Sequence, residues 1–289
     1  MNNDLENLTM FIGIGASKAG TTWLYNYLDL HPEAYVSPIK EMHYFDSKYI
    51  SDYPIDWNSR LAERLKRKSR RTRLIRVYAK AFFGRSDSLD HLTALSDRVN
   101  MGNDDAKYLA FFNSRVGRTH KVFGEITPSY ARISEEGFRK IRQIHQEIKL
   151  VYIMRDPVQK FWSALRMKER RINGYTASNE FYSELNGHTE AVKMTLYQNT
   201  YNNLVKVFDK DDLFFGFYET MFSDEFIRSL CEFLNIEFLP GNYQRIVNAG
   251  NVSRELSPEM IESAKERFQS VYQFARNVFP DRVPSEWQY

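Results

Sequence analysis

The apolar run Met10-Phe11-Ile12-Gly13-Ile14-Gly15 leads directly into Ala16-Ser17-Lys18-Ala19-Gly20-Thr21-Thr22-Trp23. A short apolar run that ends in glycine reads as a buried strand. From Thr21 to Leu30 the apolar residues Trp23, Leu24, Tyr27 and Leu28 fall on one side of a helix. His31-Pro32 ends it, because the residue before proline disfavours helical backbone. The chain therefore passes from strand to helix through a loop bounded by Gly15 and Gly20. Such a loop can turn its main-chain N–H groups onto an anion at the helix N-terminus, where the helix dipole adds to the attraction. Gly20 lets the backbone come close, and Thr21 and Thr22 supply hydroxyls.

The rest of the chain alternates in the same way. Ala34–Ser37, Val122–Ile126, Ile148–Met154 and Leu213–Phe217 read as strands. Ile148-Lys149-Leu150-Val151-Tyr152-Ile153-Met154 is the clearest, because a continuous apolar, β-branched run suits the centre of a parallel sheet. Helices are expected over most of Asp56–Arg76, over Asp104–Val116, and from a Ser134 cap to about Gln146. Others should follow Asp156-Pro157 as cap and first residue, and cover Val192–Phe208, Glu219–Leu234 and Ser257–Ala275. Strands alternating with helices predict an α/β fold: a central parallel sheet flanked by helices, here around a P-loop-like core. With 289 residues and no repeat, low-complexity tract or linker, one domain over 1–289 is the simplest account.

Two classes are excluded early. A net charge of +3 is too small to argue for nucleic acid. No stretch is long and apolar enough to span a membrane, so no stable membrane association is expected. The first nine residues lack a basic and an apolar region of the kind that directs secretion. The single cysteine, Cys231, sits at helical spacing among apolar residues and reads as core filler. Together these predict a cytoplasmic protein. No His, Cys or acidic cluster has metal-ligand spacing, and no metal is expected.

The loop departs from the nucleotide-hydrolase pattern G-x-x-x-x-G-K-[ST], in which lysine follows the second glycine. Here Lys18 lies inside the loop and Thr21 takes the lysine position. Lys18-Ala19-Gly20-Thr21-Thr22-Trp23-Leu24 resembles instead the 5'-phosphosulfate loop of the sulfotransferases that use 3'-phosphoadenosine-5'-phosphosulfate (PAPS). The resemblance implies that Lys18 contacts the oxygen bridging phosphate and sulfate, while Ala19, Gly20, Thr21 and Thr22 hold the 5'-phosphate. It implies a place against adenine for Trp23, whose other reading is a core residue one turn into the helix. A second motif should then follow a later strand, and it does. Arg155-Asp156-Pro157-Val158-Gln159-Lys160-Phe161-Trp162-Ser163 is similar to the family's 3'-phosphate motif, implying phosphate contacts from Arg155 and Ser163. An arginine at a strand's C-terminal end faces the crevice where open α/β sheets bind ligands, and its planar fork suits phosphate. Arg254 is the candidate from the family's C-terminal closing region.

The acceptor side is read from two further segments. Glu41-Met42-His43-Tyr44-Phe45-Asp46 is similar to the carbohydrate-type branch, where the glutamate is the base. His43 competes, since its ordinary pKa suits base work near neutrality and Glu41 would need burial to raise its own. In an extended chain Glu41, His43 and Phe45 share one side. Gly124-Glu125-Ile126-Thr127-Pro128-Ser129-Tyr130 resembles a segment expected to line the acceptor cleft. The resemblance as a whole implies sulfuryl transfer from PAPS, leaving as 3'-phosphoadenosine-5'-phosphate (PAP), to a hydroxyl or amine of a small-molecule or saccharide acceptor, with a saccharide or other polyhydroxy metabolite favoured. The stretch Arg60–Arg76 is strongly basic, with Glu63 its only acid. It is either a solvated face or a docking strip for an anionic acceptor. The alternatives are a P-loop nucleotide kinase or hydrolase, and a non-catalytic polyanion-binding protein using the basic strip.

Overall fold

The computed structural model describes residues 5–50, 56–71, 87–244 and 256–287. Five strands form one parallel sheet: β1 (Thr9–Gly15), β2 (Ala34–Val36), β3 (Val122–Ile126), β4 (Ile148–Met154) and β5 (Leu213–Phe217), in the order β2-β3-β1-β4-β5. Every residue of β1 and β3 is buried, as expected of strands covered by helices on both faces. Gly124 is required where β3 passes β1. A Cβ there would stand 1.8 Å from the Phe11 carbonyl oxygen.

The strand order places the site. From β1 the chain crosses through α1 (Thr21–Asp29) to β2 on one side of the sheet. From β4 it leaves through α7 (Pro157–Glu169) toward β5 on the other side. The connections part at the C-terminal ends of β1 and β4, which is the switch point where open α/β sheets form a ligand crevice. The Lys18 loop and the Arg155 motif sit at these two ends.

Between β2 and β3 lie α2 (Phe45–Tyr49), α3 (Trp57–Arg71), α4 (Asp87–Met101) and α5 (Asp105–Asn113). After β3 come a short 3-10 turn over Pro128–Arg132 and α6 (Glu135–Arg142). Beyond α7 stand α8 (Phe181–Asn186), α9 (Glu190–Lys193) and α10 (Tyr197–Leu204). After β5 stand α11 (Asp224–Leu234), α12 (Pro258–Arg267) and α13 (Gln269–Val278). Cys231 is buried, with its sulfur 3.3 Å from the Tyr27 hydroxyl. Among the described residues no helix is long and apolar enough to cross a membrane.

Several expected helices are shorter or divided; those expected over 104–116 and from Ser134 to about 146 end at Asn113 and Arg142. The one expected over 192–208 breaks before Tyr197, where the buried Thr195 hydroxyl donates to Ala191 O and accepts from the Lys160 ammonium. The one expected from Glu219 starts at Asp224. Ser223 caps it by accepting from Phe226 N, while Glu219 instead accepts from Asp156 N. The last one divides at Phe268, whose φ of −101° and ψ of 15° leave the helical region.

Candidate active site

Gly20 adopts φ 79° and opens α1 as its N-cap, with no side chain satisfying the helix N-terminus. An uncapped helix N-terminus is what an anion site needs, although within the loop the N–H groups of Ala16 and Ala19 are given to Ile153 O and Ala16 O. Gly20 is also crowded, since a Cβ there would meet Met221 Sδ at 2.6 Å and the Tyr218 ring at 2.9 Å. Ala19 and Thr21 are buried; Thr22 is half-buried and its hydroxyl accepts a hydrogen bond from the Lys40 ammonium. Lys18 is half-buried at φ 69°. Burial, then the charges of Arg170, Arg155 and Arg171, lower its pKa to about 8, against the opposing pull of Glu41.

Arg155 comes from the end of β4 to meet this loop. Its Nη1 donates to the Lys18 carbonyl oxygen at 3.1 Å, and its guanidinium lies over the Tyr218 ring, 4.4 Å from the centroid. The next residue caps α7: Asp156 Oδ1 accepts from Gln159 N at 2.8 Å, and Oδ2 accepts from the Tyr272 hydroxyl at 2.8 Å. Ser163 is half-buried on α7. Lys160 faces the other way, into the core, and donates to Ala191 O at 3.1 Å and Thr195 Oγ1 at 2.9 Å. Trp23 is only 6% exposed. It stacks with Tyr27 and Tyr243, meets Phe222 edge-on, and donates from Nε1 to Asn242 O. Arg254 lies outside the described residues.

The segment after β2 is not extended. Glu41 and His43 take φ values of 60° and 52°, in the left-handed region that side chains disfavour, and Phe45 turns into the core as the first residue of α2. Glu41 and His43 nevertheless come together, with His43 Nε2 3.6 Å from Glu41 Oε2. His43 Nδ1 lies 2.6 Å from Asp46 Oδ2, and that fully buried carboxylate also accepts from Ser129 Oγ at 2.5 Å. The imidazole lies flat on the Trp57 ring, with centroids 3.3 Å apart and planes 7° from parallel. The result is a row, Asp46–His43–Glu41. His43 is 4% exposed, whereas the Glu41 side chain is 41% exposed and stands at the open end. Burial alone would raise the Glu41 carboxyl; the His43 imidazole, Lys40 and Arg171 outweigh it and hold it below its ordinary value. Burial alone would lower His43; Asp46 and Glu41 hold it above its ordinary value. Glu41 is thus kept ionised rather than raised as burial would suggest.

The strained loop is held from beneath. Arg98, fully buried on α4, donates to Met42 O at 2.8 Å and His43 O at 2.7 Å. Glu125, also fully buried, accepts from Met42 N, Thr127 Oγ1 and the Tyr130 hydroxyl. The Tyr130 oxygen in turn accepts from Tyr44 N at 2.9 Å. This corrects the reading of Gly124–Tyr130 as cleft lining. Its polar side chains are buried supports, and only Ser129 reaches the row.

A sulfotransferase family model matches residues 11–240, most of the chain and both strand-end motifs. The chain belongs to the sulfotransferase family. The fold of this sulfotransferase is also that of a sulfotransferase from Alicyclobacillus acidocaldarius, with a TM-score of 0.67 at 18% identity over 96% of this chain and 98% of that one. More distant is the sulfotransferase domain of the Synechococcus PCC 7002 olefin synthase, with a TM-score of 0.47 at 14% identity over 92% and 97%. A sulfotransferase domain from the curacin biosynthetic pathway gives 0.49 at 16% over 99% and 96%. No curated protein sequence matches closely enough to count as a relative.

Proposed function

We propose that the sulfuryl donor is PAPS and that the acceptor is a hydroxyl of a saccharide or another polyhydroxy metabolite. The observation that carries this reading is the meeting of Lys18 and Arg155 at the switch point, joined by a 3.1 Å hydrogen bond. A nucleotide phosphorylated on both the 3' and 5' oxygens of its ribose needs two anion sites about one sugar ring apart. The β1 loop, with Ala19, Gly20, Thr21 and Thr22, takes the 5'-phosphate. Arg155 and Ser163 take the 3'-phosphate, adenine rests at the Trp23 end of the aromatic cluster, and Arg254 belongs to the closing region.

In the reaction the acceptor oxygen attacks sulfur as the bond from sulfur to the 5'-phosphate oxygen breaks. Lys18 stabilises the negative charge that grows on that oxygen. The acceptor proton passes to Glu41, the member of the row that an acceptor can reach. His43 and Asp46 hold that carboxylate in place from behind. No metal takes part in this scheme, and the saccharide preference rests on the likeness of the Glu41–Asp46 and Gly124–Tyr130 segments to carbohydrate-type enzymes.

The test is calorimetric titration with PAP, AMP and magnesium ATP. Tight, metal-independent binding that needs the 3'-phosphate is expected. Equal affinity for ATP, or a need for magnesium, would overturn the choice of donor.

A further inference from the structure

Beside the site stands positive charge that no described residue answers with an ion pair. Arg170 and Arg171 stand exposed where α7 ends, and neither side chain has an ion-pair partner among the described residues. The charges of both act on Lys18, and that of Arg171 also acts on Glu41. Arg60 of α3 is also exposed, with its guanidinium carbon 5.2 Å from the centroid of the Trp57 ring. That ring is the one stacked on His43. Arg60 is therefore one ring away from the carboxylate row, and α3 runs on from it through Arg64 and Lys66.

This arrangement works against the proton transfer if the acceptor is neutral. The Arg171 charge stabilises the ionised form of Glu41, and cations so placed weaken it as a base. An acceptor that brought its own negative charge would offset them on binding, and Glu41 would regain basicity when the acceptor arrives. Guanidinium groups also pair with carboxylates and sulfate esters through two parallel hydrogen bonds, which would fix the direction from which the hydroxyl approaches.

We propose that Arg60, Arg170 and Arg171 grip an anionic group of the acceptor, so that the sulfated hydroxyl belongs to an acidic saccharide bearing a carboxylate or sulfate ester close by. The proposal builds on the reading of Glu41 as the group facing the acceptor.

The experiment is a set of calorimetric titrations with maltotetraose, a hyaluronan tetrasaccharide (carboxylates only) and a keratan sulfate tetrasaccharide (sulfate esters only). Each is run on the wild type, Arg60→Gln, Arg170→Ala/Arg171→Ala and the remote control Lys140→Ala, with PAP titrated in parallel. At least one acidic tetrasaccharide should bind about tenfold or more tighter than maltotetraose, an advantage that shrinks with added salt. Arg60→Gln and the double variant should each remove most of that advantage, while Lys140→Ala and the PAP affinities stay unchanged. Which acidic probe wins tells carboxylate from sulfate ester. Acidic probes that bind no better than maltotetraose, or whose advantage survives in both variants, would overturn the proposal. So would a loss of PAP affinity in the double variant, which would assign those arginines to the donor. Absence of PAP binding, alongside saccharide binding that the variants abolish, would remove the donor reading and leave the cationic grip standing.

Discussion

Arg155 Nη1 hydrogen-bonds the main-chain oxygen of Lys18 at 3.1 Å, so the residue that follows β4 fixes the backbone of the loop that follows β1. The two strands are neighbours in the sheet, and their ends are joined a second time where Ala16 N donates to Ile153 O. A side chain at the end of one strand therefore shapes the loop that follows the other.

Arg155→Lys keeps the charge and loses the planar fork. It should weaken PAP binding by about 10- to 100-fold and narrow the preference for PAP over AMP. Calorimetry with both ligands reads this directly; an unchanged ratio of affinities would move the 3'-phosphate site away from Arg155.

Lys18 has its pKa lowered to about 8 in the free protein. If its ammonium form stabilises the leaving oxygen, kcat/KM should fall as pH rises through about 8. A bound anionic donor favours the cation, so the same limb in kcat should lie at higher pH. Lys18→Met should cost about 100-fold or more in kcat and erase the limb. A limb that persists in the variant belongs to another group.

Glu41 and His43 are told apart by the acid side of the same profile. The Glu41 carboxyl is held below its ordinary value and the His43 imidazole above its own. With Glu41 as base, activity should survive until pH drops below the usual carboxylate range. A limb above the ordinary imidazole value would hand the role to His43. Glu41→Gln should lower kcat by about 10²- to 10⁴-fold and leave PAP affinity as it was.

Lys160 makes a prediction about stability. Burial lowers its pKa from 10.5 to about 7 in the folded protein. Between those values the unfolded chain holds the proton more tightly, so this group makes folding less favourable at the acid end of the window and progressively less unfavourable as pH rises toward 10.5. Urea midpoints measured across that window should rise with pH in the wild type relative to Lys160→Met. Parallel curves would mean that Lys160 keeps its ordinary pKa.

The sheet was legible because its strands are continuous apolar runs. The bounds of β3, β4 and β5 coincide with those runs, and Asp156-Pro157 marks the start of α7 as cap and first residue. The meeting of the two strand-end motifs was legible because glycine spacing and a strand-end arginine are local signals. The support of the Glu41–Asp46 loop was not. Arg98 meets His43 O from 55 residues away, and nothing in its own surroundings marks it as a clamp. Trp57 opens a basic helix, and spacing does not say that its ring will cover His43. Glu125, Thr127 and Tyr130 were found by motif, but a motif does not tell a buried brace from a cleft wall. The shape of the loop was the deepest omission, because left-handed backbone at glutamate and histidine has no signature in composition or periodicity.

Lys18, Glu41, His43 and the helix-ending Asn235 are the non-glycine residues with left-handed backbone among the described residues. Each such residue costs about 1–2 kcal/mol that glycine would not. His43 recovers some of this by packing on Trp57, whereas Lys18 and Glu41 stand partly in solvent. Selection for thermal robustness alone would therefore drift toward glycine at positions 18 and 41. A lineage released from turnover would lose these two side chains early, while its sheet, caps and aromatic core went on looking like those of a working enzyme.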